Sequence, residues 1–157
     1  MAFVHALAQR APGERLAPIE LPAPGPIGPF EVDVEVHTCS VCHSDVHLLD
    51  GDWGDVARPL VPGHEIVGRV IARGERAAAL VREHLCAGGK VRTCVGRQGG
   101  FADRVRVDAR FCFELPPSLD VTTAAPLLCA GLTVFSPLER LGVREGTRVG
   151  VVGIGGL

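Results

Sequence analysis

Aromatic side chains are scarce: Phe and Trp together make 4% of the 157 residues, and tyrosine is absent. A nucleic-acid surface built from stacking platforms therefore has little to work with. An excess of one charge is missing too. The 16 Lys and Arg stand against 18 Asp and Glu, for a net charge of −2, which gives no electrostatic pull toward nucleic acid or an acidic bilayer. No apolar run approaches the ~20 residues of a membrane span. The opening text MAFVHALAQR has no basic stretch leading into a long apolar core, so no secretory signal is expected. These absences lead us to expect a cytoplasmic chain with no nucleic-acid and no membrane partner. The length accommodates one domain of ~100–150 residues but not a second complete one.

What the chain does have is turn chemistry and thiols. It carries 20 Gly and 12 Pro, with 46% hydrophobic and 22% charged residues, a balance that fits a folded domain of short strands joined by tight turns. Six cysteines stand at positions 39, 42, 86, 94, 112 and 129. Without a leader, metal binding or a reactive thiol is favoured over a disulfide framework. Some of the six are expected to be small core side chains.

Six prolines fall between residues 12 and 30, so LPAPGPIGP is expected to be an extended surface connection. In FEVDVEVHT, Val32, Val34 and Val36 alternate with Asp33, Glu35 and His37, the pattern of a half-buried strand. Ser44 to Leu49 suits a turn or two of helix before Gly51. Pro62-Gly63 marks a turn ahead of a strand from Glu65 to Arg73. The segment 75–85, ERAAALVREHL, favours helix on propensity. FADRVRVDA, 101–109, alternates as a strand. A helix is expected over 122–141, opened by a Thr cap, and a buried strand in the closing TRVGVVGIGGL.

Three short motifs can carry chemistry: Cys39-Ser-Val-Cys42-His43-Ser44-Asp45-Val46-His47, Pro62-Gly63-His64-Glu65 and Leu128-Cys129-Ala130-Gly131. Each alone reads equally well as turn or core residues. Together they offer two thiols and an imidazole, each beside a turn or helix start. A catalytic zinc takes three protein ligands and keeps one position open, whereas structural zinc sites use four ligands in close pairs. Cys39-x-x-Cys42-His43 also fits a c-type haem attachment or a redox pair. Both of those readings need Cys39, and a zinc reading does not.

The texts CSVCHSDVH, PLVPGHEIVGRV, GGFADRVRV, AAPLLCAGLTVFSPL and VGVVGIGGL, in that order over nearly the whole chain, resemble the zinc-dependent medium-chain alcohol dehydrogenases, cinnamyl alcohol dehydrogenase-like branch. The resemblance implies a mainly β fold with some α, a GroES-like partly open barrel followed by the beginning of a Rossmann domain. It implies Cys42, His64 and Cys129 as ligands of one catalytic zinc, with Glu65 as an alternate or supporting ligand. Ser44 would take the alcohol proton and His47 pass it toward solvent. His43, Thr133, Gly153, Gly155 and Gly156 would face the cofactor NADP or NAD, and Trp53 would line the substrate pocket. The implied reaction is reversible oxidation of a primary alcohol, aromatic alcohols among the candidates, to its aldehyde, in a family that forms homodimers.

Two departures from the family pattern stand out. The strand and four-cysteine lobe expected after Gly74 are replaced by ERAAALVREHLC, where only Cys86 matches the lobe, so no structural zinc and an internal deletion near 75–86 are expected. The dinucleotide fold breaks off at its first glycines. We expect residues 1–121 to form the catalytic domain and 122–157 a connecting helix with the first strand of an incomplete Rossmann domain. The chain alone is expected to lack dehydrogenase activity, since hydride transfer needs both reactants held in a closed cleft. A non-catalytic zinc-binding remnant, or an interaction module of the same fold, is the alternative.

Overall fold

A computed structural model describes residues 3–77, 94 and 97–155. Strands β1 (Phe3–Ala8) and β2 (Ala17–Pro22) pair antiparallel. Strand β3 (Glu31–Ser40) leads into helix α1 (His43–Asp50), and β4 (Glu65–Arg73) and β5 (Arg104–Asp108) flank β3 in a second antiparallel sheet ordered β4-β3-β5. Two short helical turns, α2 (Val121–Ala124) and a 3₁₀ turn (Ala125–Leu128), precede helix α3 (Ala130–Arg140). The result is a mainly β domain with two sheets and no closed barrel among the described residues.

Strand β1 buries Val4, Ala6 and Ala8 and exposes Phe3, His5 and Leu7. Because its outward residues include Phe3 and Leu7, the strand does not alternate visibly in sequence. It ties the two sheets together: Leu7 N–H donates to Phe101 O at 2.8 Å, and Gln9 and Leu60 exchange backbone bonds at 2.9 Å. Val61 packs with Ala6 and Ala8 below this junction. β2 extends into the proline-rich text as far as Pro22, as an edge strand where a missing N–H is tolerated.

Strand β3 forms as its alternation predicts, and Val32 and Val34 join Val105 and Ala109 in the core. Asp33 differs from expectation: it is 1% exposed. The register explains this. Asp33 lies opposite Arg106 on β5, and Arg104 lies two residues along on the same face. Arg106 donates to both Asp33 oxygens, at 2.7 and 3.0 Å, and Arg104 adds a further ion pair. The Arg106 bond holds the Asp33 carboxyl below the usual range against the opposing effect of burial, with Arg104 assisting. The inner face of this sheet borders a cavity of about 440 Å³ lined in part by Val34, Ile66, Val105 and Val107.

Three expectations need correction. The helix over 122–141 is broken, because Cys129 adopts φ −122° and ψ −66°, and the pieces on either side are bent by 55°. Its cap is Asp120, which accepts from the backbone N–H groups of Thr122 (2.9 Å) and Thr123 (3.2 Å), rather than a threonine. The closing text forms no strand over residues 147–155, and Val152 is fully exposed, since a strand of a parallel sheet has nothing here to pair with. Residues 75–77 form a turn, and the remainder of the helix expected over 75–85, with Cys86, lies outside the described residues. No single described helix is long and apolar enough to cross a membrane.

Candidate metal centre

The pairing of β3 with β4 assembles the site. Ser40, the last residue of β3, lies opposite Glu65, the first of β4. Cys42 follows two residues beyond Ser40 and His64 comes one before Glu65, so the register brings thiol and imidazole together. Cys129 arrives from the far end of the chain. Ala124 and Ala125 pack against Val67 of β4, and the backbone break at Cys129 falls just beyond this anchor. Ligand atoms of Cys42, His64, Glu65 and Cys129 all lie within 4.8 Å of one another.

Gly63 permits the turn. Its φ is +101°, and a β-carbon there would sit 2.6 Å from the Phe101 ring and 2.8 Å from Cys39 Sγ. Cys42 is the N-cap of α1, and Asp45, three residues on, closes a capping box by accepting from the Cys42 N–H at 3.1 Å. The same buried carboxylate accepts from Gly63 N–H at 2.9 Å and contacts His64 Nδ1 at 3.1 Å. Burial would raise the Asp45 carboxyl, but His64 and the Cys42 and Gly63 amides outweigh it and hold it ionised below its ordinary range. An ionised partner holds a proton on Nδ1, so Nε2 is the nitrogen that would turn toward a metal once its own proton is lost.

In the metal-free chain Asp45 foremost, then Cys94, pull His64 up to about 12 against burial, with Cys129 adding to the pull. Burial opposes ionisation of Cys42, yet the backbone and hydroxyl of Ser44, together with His64, bring its thiol below the usual value. Burial pushes Cys39 up to about 11. Cys39 belongs to neither of the two His, Cys and carboxylate groupings found among the described residues.

This donor set fits zinc. A tetrahedral ion with bonds of ~2.0–2.3 Å separates its ligands by about 3.3–3.8 Å, compatible with the observed cluster. Glu65 Oε2 accepts a hydrogen bond from Ser40 Oγ, which ties the carboxylate to the sheet while it stays in the same cluster as the other three donors.

The other residues singled out in sequence are placed as follows. Ser44 lies beside Cys42 at the start of α1. His47 is bonded through Nδ1 to Asp52 Oδ2 at 2.7 Å and packs edge-on against His43, with ring centroids 4.8 Å apart. Trp53, half exposed, sits 5.1 Å from the His47 ring. Thr133 is exposed on the first turn of α3 and bonds back to the Cys129 carbonyl at 2.8 Å. Gly153 has φ +75°, and neither it nor Gly155 has a neighbour within 4 Å of a built β-carbon; Gly156 lies outside the described residues. Sequence reasoning missed Asp45, Ser40, Asp52 and Cys94. A carboxylate three residues after a helix-capping ligand was the available signal for Asp45.

Residues 28–117 match the family described as Alcohol dehydrogenase GroES-like domain. Aldehyde reductase AdhA of Synechocystis is 38% identical in an alignment of 177 residues that takes in 99% of this chain and 52% of the relative. Cinnamyl alcohol dehydrogenase 1 of Ocimum basilicum is 37% identical over 96% of the chain and 50% of the relative. The crystal structure of the Helicobacter pylori enzyme CAD complexed with NADP(H) superposes with a TM-score of 0.84 at 26% identity, over 99% of this chain and 53% of that one. The chain therefore belongs to the zinc-dependent medium-chain alcohol dehydrogenase family, in its GroES-like part, with cinnamyl alcohol dehydrogenases among its relatives. It spans about half the length of the curated relatives it matches.

Proposed function

We propose that this chain is the zinc-binding catalytic part of an NADP-linked dehydrogenase acting on primary, including aromatic, alcohols and their aldehydes, and that by itself it binds zinc without turning over. The observation that carries the reading is the convergence of Cys42, His64 and Cys129 from three separate segments. These three residues would hold one ion, with Glu65 held aside by Ser40. A zinc ion bound there supplies Lewis acidity to an alcohol or carbonyl oxygen.

The protein groups around it suit proton handling. The Ser44 hydroxyl both donates and accepts, so it can take a proton from an alcohol. His47, oriented by Asp52 and partly exposed, can carry that proton to water. Trp53, beside His47, offers an aromatic wall for the substrate. His43, Thr133, Gly153, Gly155 and Gly156 are the positions assigned to NADP or NAD.

The proposed division into 1–121 and 122–157 is supported by the helical connection that opens at Val121. An internal deletion is supported by the alignment of 177 residues against a chain of 157. A cytoplasmic setting suits the five described cysteines, all of them free thiols. The second reading, a zinc-binding remnant without catalysis, is favoured by the exposed apolar residues Val151, Val152 and Ile154, which lack a sheet to join.

Assaying the purified chain with NADP and NAD against a panel of benzylic and cinnamyl alcohols tests the proposal. No turnover, with about one zinc per chain, is expected. Sustained turnover contradicts the inactive assignment, and a zinc-free folded chain contradicts the site.

A further inference from the structure

Cys94 is a thiol to which the reading above gives no task. It is 2% exposed and packs against Leu48 of α1 and Leu60. Its φ of 60° is in the left-handed region, which a non-glycine residue occupies only against steric resistance. That conformation and the packing around it fix the side chain toward α1. Ligand atoms of Asp45, His64 and Cys94 lie within 4.8 Å of one another.

We propose that Asp45, His64 and Cys94 form a second position for a soft divalent cation, alternative to the Cys42–His64–Cys129 position and sharing His64 with it. Asp45 Oδ1 and His64 Nδ1 are 3.1 Å apart, close to the separation of about 3.3 Å between an oxygen and a nitrogen bound to one tetrahedral ion. A cation there replaces the proton between them. The Cys94 thiol and His64 Nδ1–H each release a proton to solvent as the metal bonds form, and nothing is oxidised. Carboxylate, imidazole and thiolate are all zinc and cadmium donors, and the burial of Asp45 and Cys94 shields the position from competing water. The Cys42–Cys129 position holds two thiolates against one, so it is the more populated. Holding a cation on both ring nitrogens would require His64 to give up its last proton as an imidazolate, so the chain holds one cation at a time.

This inference rests on His64 being a cation ligand, as proposed above, and the experiment separates the two ideas. The unmutated chain is loaded with one equivalent of cadmium-113 and observed by NMR, where the chemical shift reports the number of bound thiolates. Two resonances are expected: a major one from two thiolates and a minor one from a single thiolate. Cys94→Ser is expected to remove only the minor one, and Cys129→Ser to weaken the major one while the minor one persists. A single two-thiolate resonance in the unmutated chain overturns the second position and leaves the first standing. Absence of any thiolate-bound signal overturns both. A minor resonance that survives Cys94→Ser also overturns the assignment, whatever the other variants do.

Discussion

Asp45 joins the two halves of the metal centre: one oxygen lies 3.1 Å from His64 Nδ1, and the other accepts the backbone N–H of Cys42 at 3.1 Å. One carboxylate thus sets the tautomer of one ligand and the position of another. Replacing Asp45 with Asn removes the charge that holds the proton on Nδ1. Zinc affinity is expected to fall about 10–100-fold, measured by competition with a chromophoric chelator. Unchanged affinity would mean that the carboxylate only caps the helix.

Zinc binding at Nε2 must expel one of the two protons of the His64 imidazolium, whose metal-free value is raised to about 12 chiefly by Asp45, with Cys94 and Cys129 adding to the pull. A ligand imidazole is neutral, so affinity is expected to rise with pH through the neutral range. Calorimetry in buffers of different ionisation enthalpy should show net proton release on zinc addition. Proton uptake would contradict the pairing.

Asp33 predicts the acid limb of stability. Its carboxyl is lowered in the folded chain, chiefly by Arg106. The unfolded chain therefore binds the proton more readily, and the stabilisation is full above the ordinary carboxylate value of 3.8 and is lost as pH falls through the folded value. Urea midpoints measured between pH 6 and pH 2 are expected to drop. Asp33→Asn is expected to cost about 3–5 kcal/mol at neutral pH, because two guanidinium groups lose their partner, and to flatten the acid limb.

Gly63→Ala tests the turn that presents His64. Both the φ of +101° and the approach of Phe101 to 2.6 Å exclude a β-carbon without movement. A loss of about 1–3 kcal/mol is expected from the backbone conformation alone, read from a thermal melt followed by circular dichroism. A neutral effect would show that the turn relaxes freely.

The parts legible in sequence were those with local signals. The β3 strand, the Pro62-Gly63 turn and the Glu65–Arg73 strand are all present in the structure. The set Cys42, His64 and Cys129 came from the family resemblance and not from any local window, and the structure gathers these donors within 4.8 Å of one another. Strand β1 was not legible, because Phe3 and Leu7 face solvent and hide its period. The burial of Asp33 depends on strand pairing with Arg104 and Arg106 some seventy residues away, which no local window contains. The break at Cys129 was hidden for a similar reason: AAPLLCAGLTVF reads as one apolar helix until Ala124 and Ala125 are seen docked on Val67. The strand expected at the C-terminal end failed because its period describes a sheet whose other strands this chain does not supply.

Glu65 separates an open site from a closed one. Held by Ser40, it is not needed as a ligand, so Glu65→Gln is expected to keep one zinc per chain, while Cys129→Ser is expected to lose most of it. Equal loss in both variants would make Glu65 a fourth permanent ligand and close the corner assigned to substrate.

Zinc K-edge X-ray absorption on the metal-loaded chain reads whether the three donors share one ion. About one zinc is expected, bound by two sulfurs at ~2.3 Å and one imidazole nitrogen at ~2.0 Å, with a light atom in the remaining position. A shell without sulfur, or one with four sulfurs, would contradict that sharing.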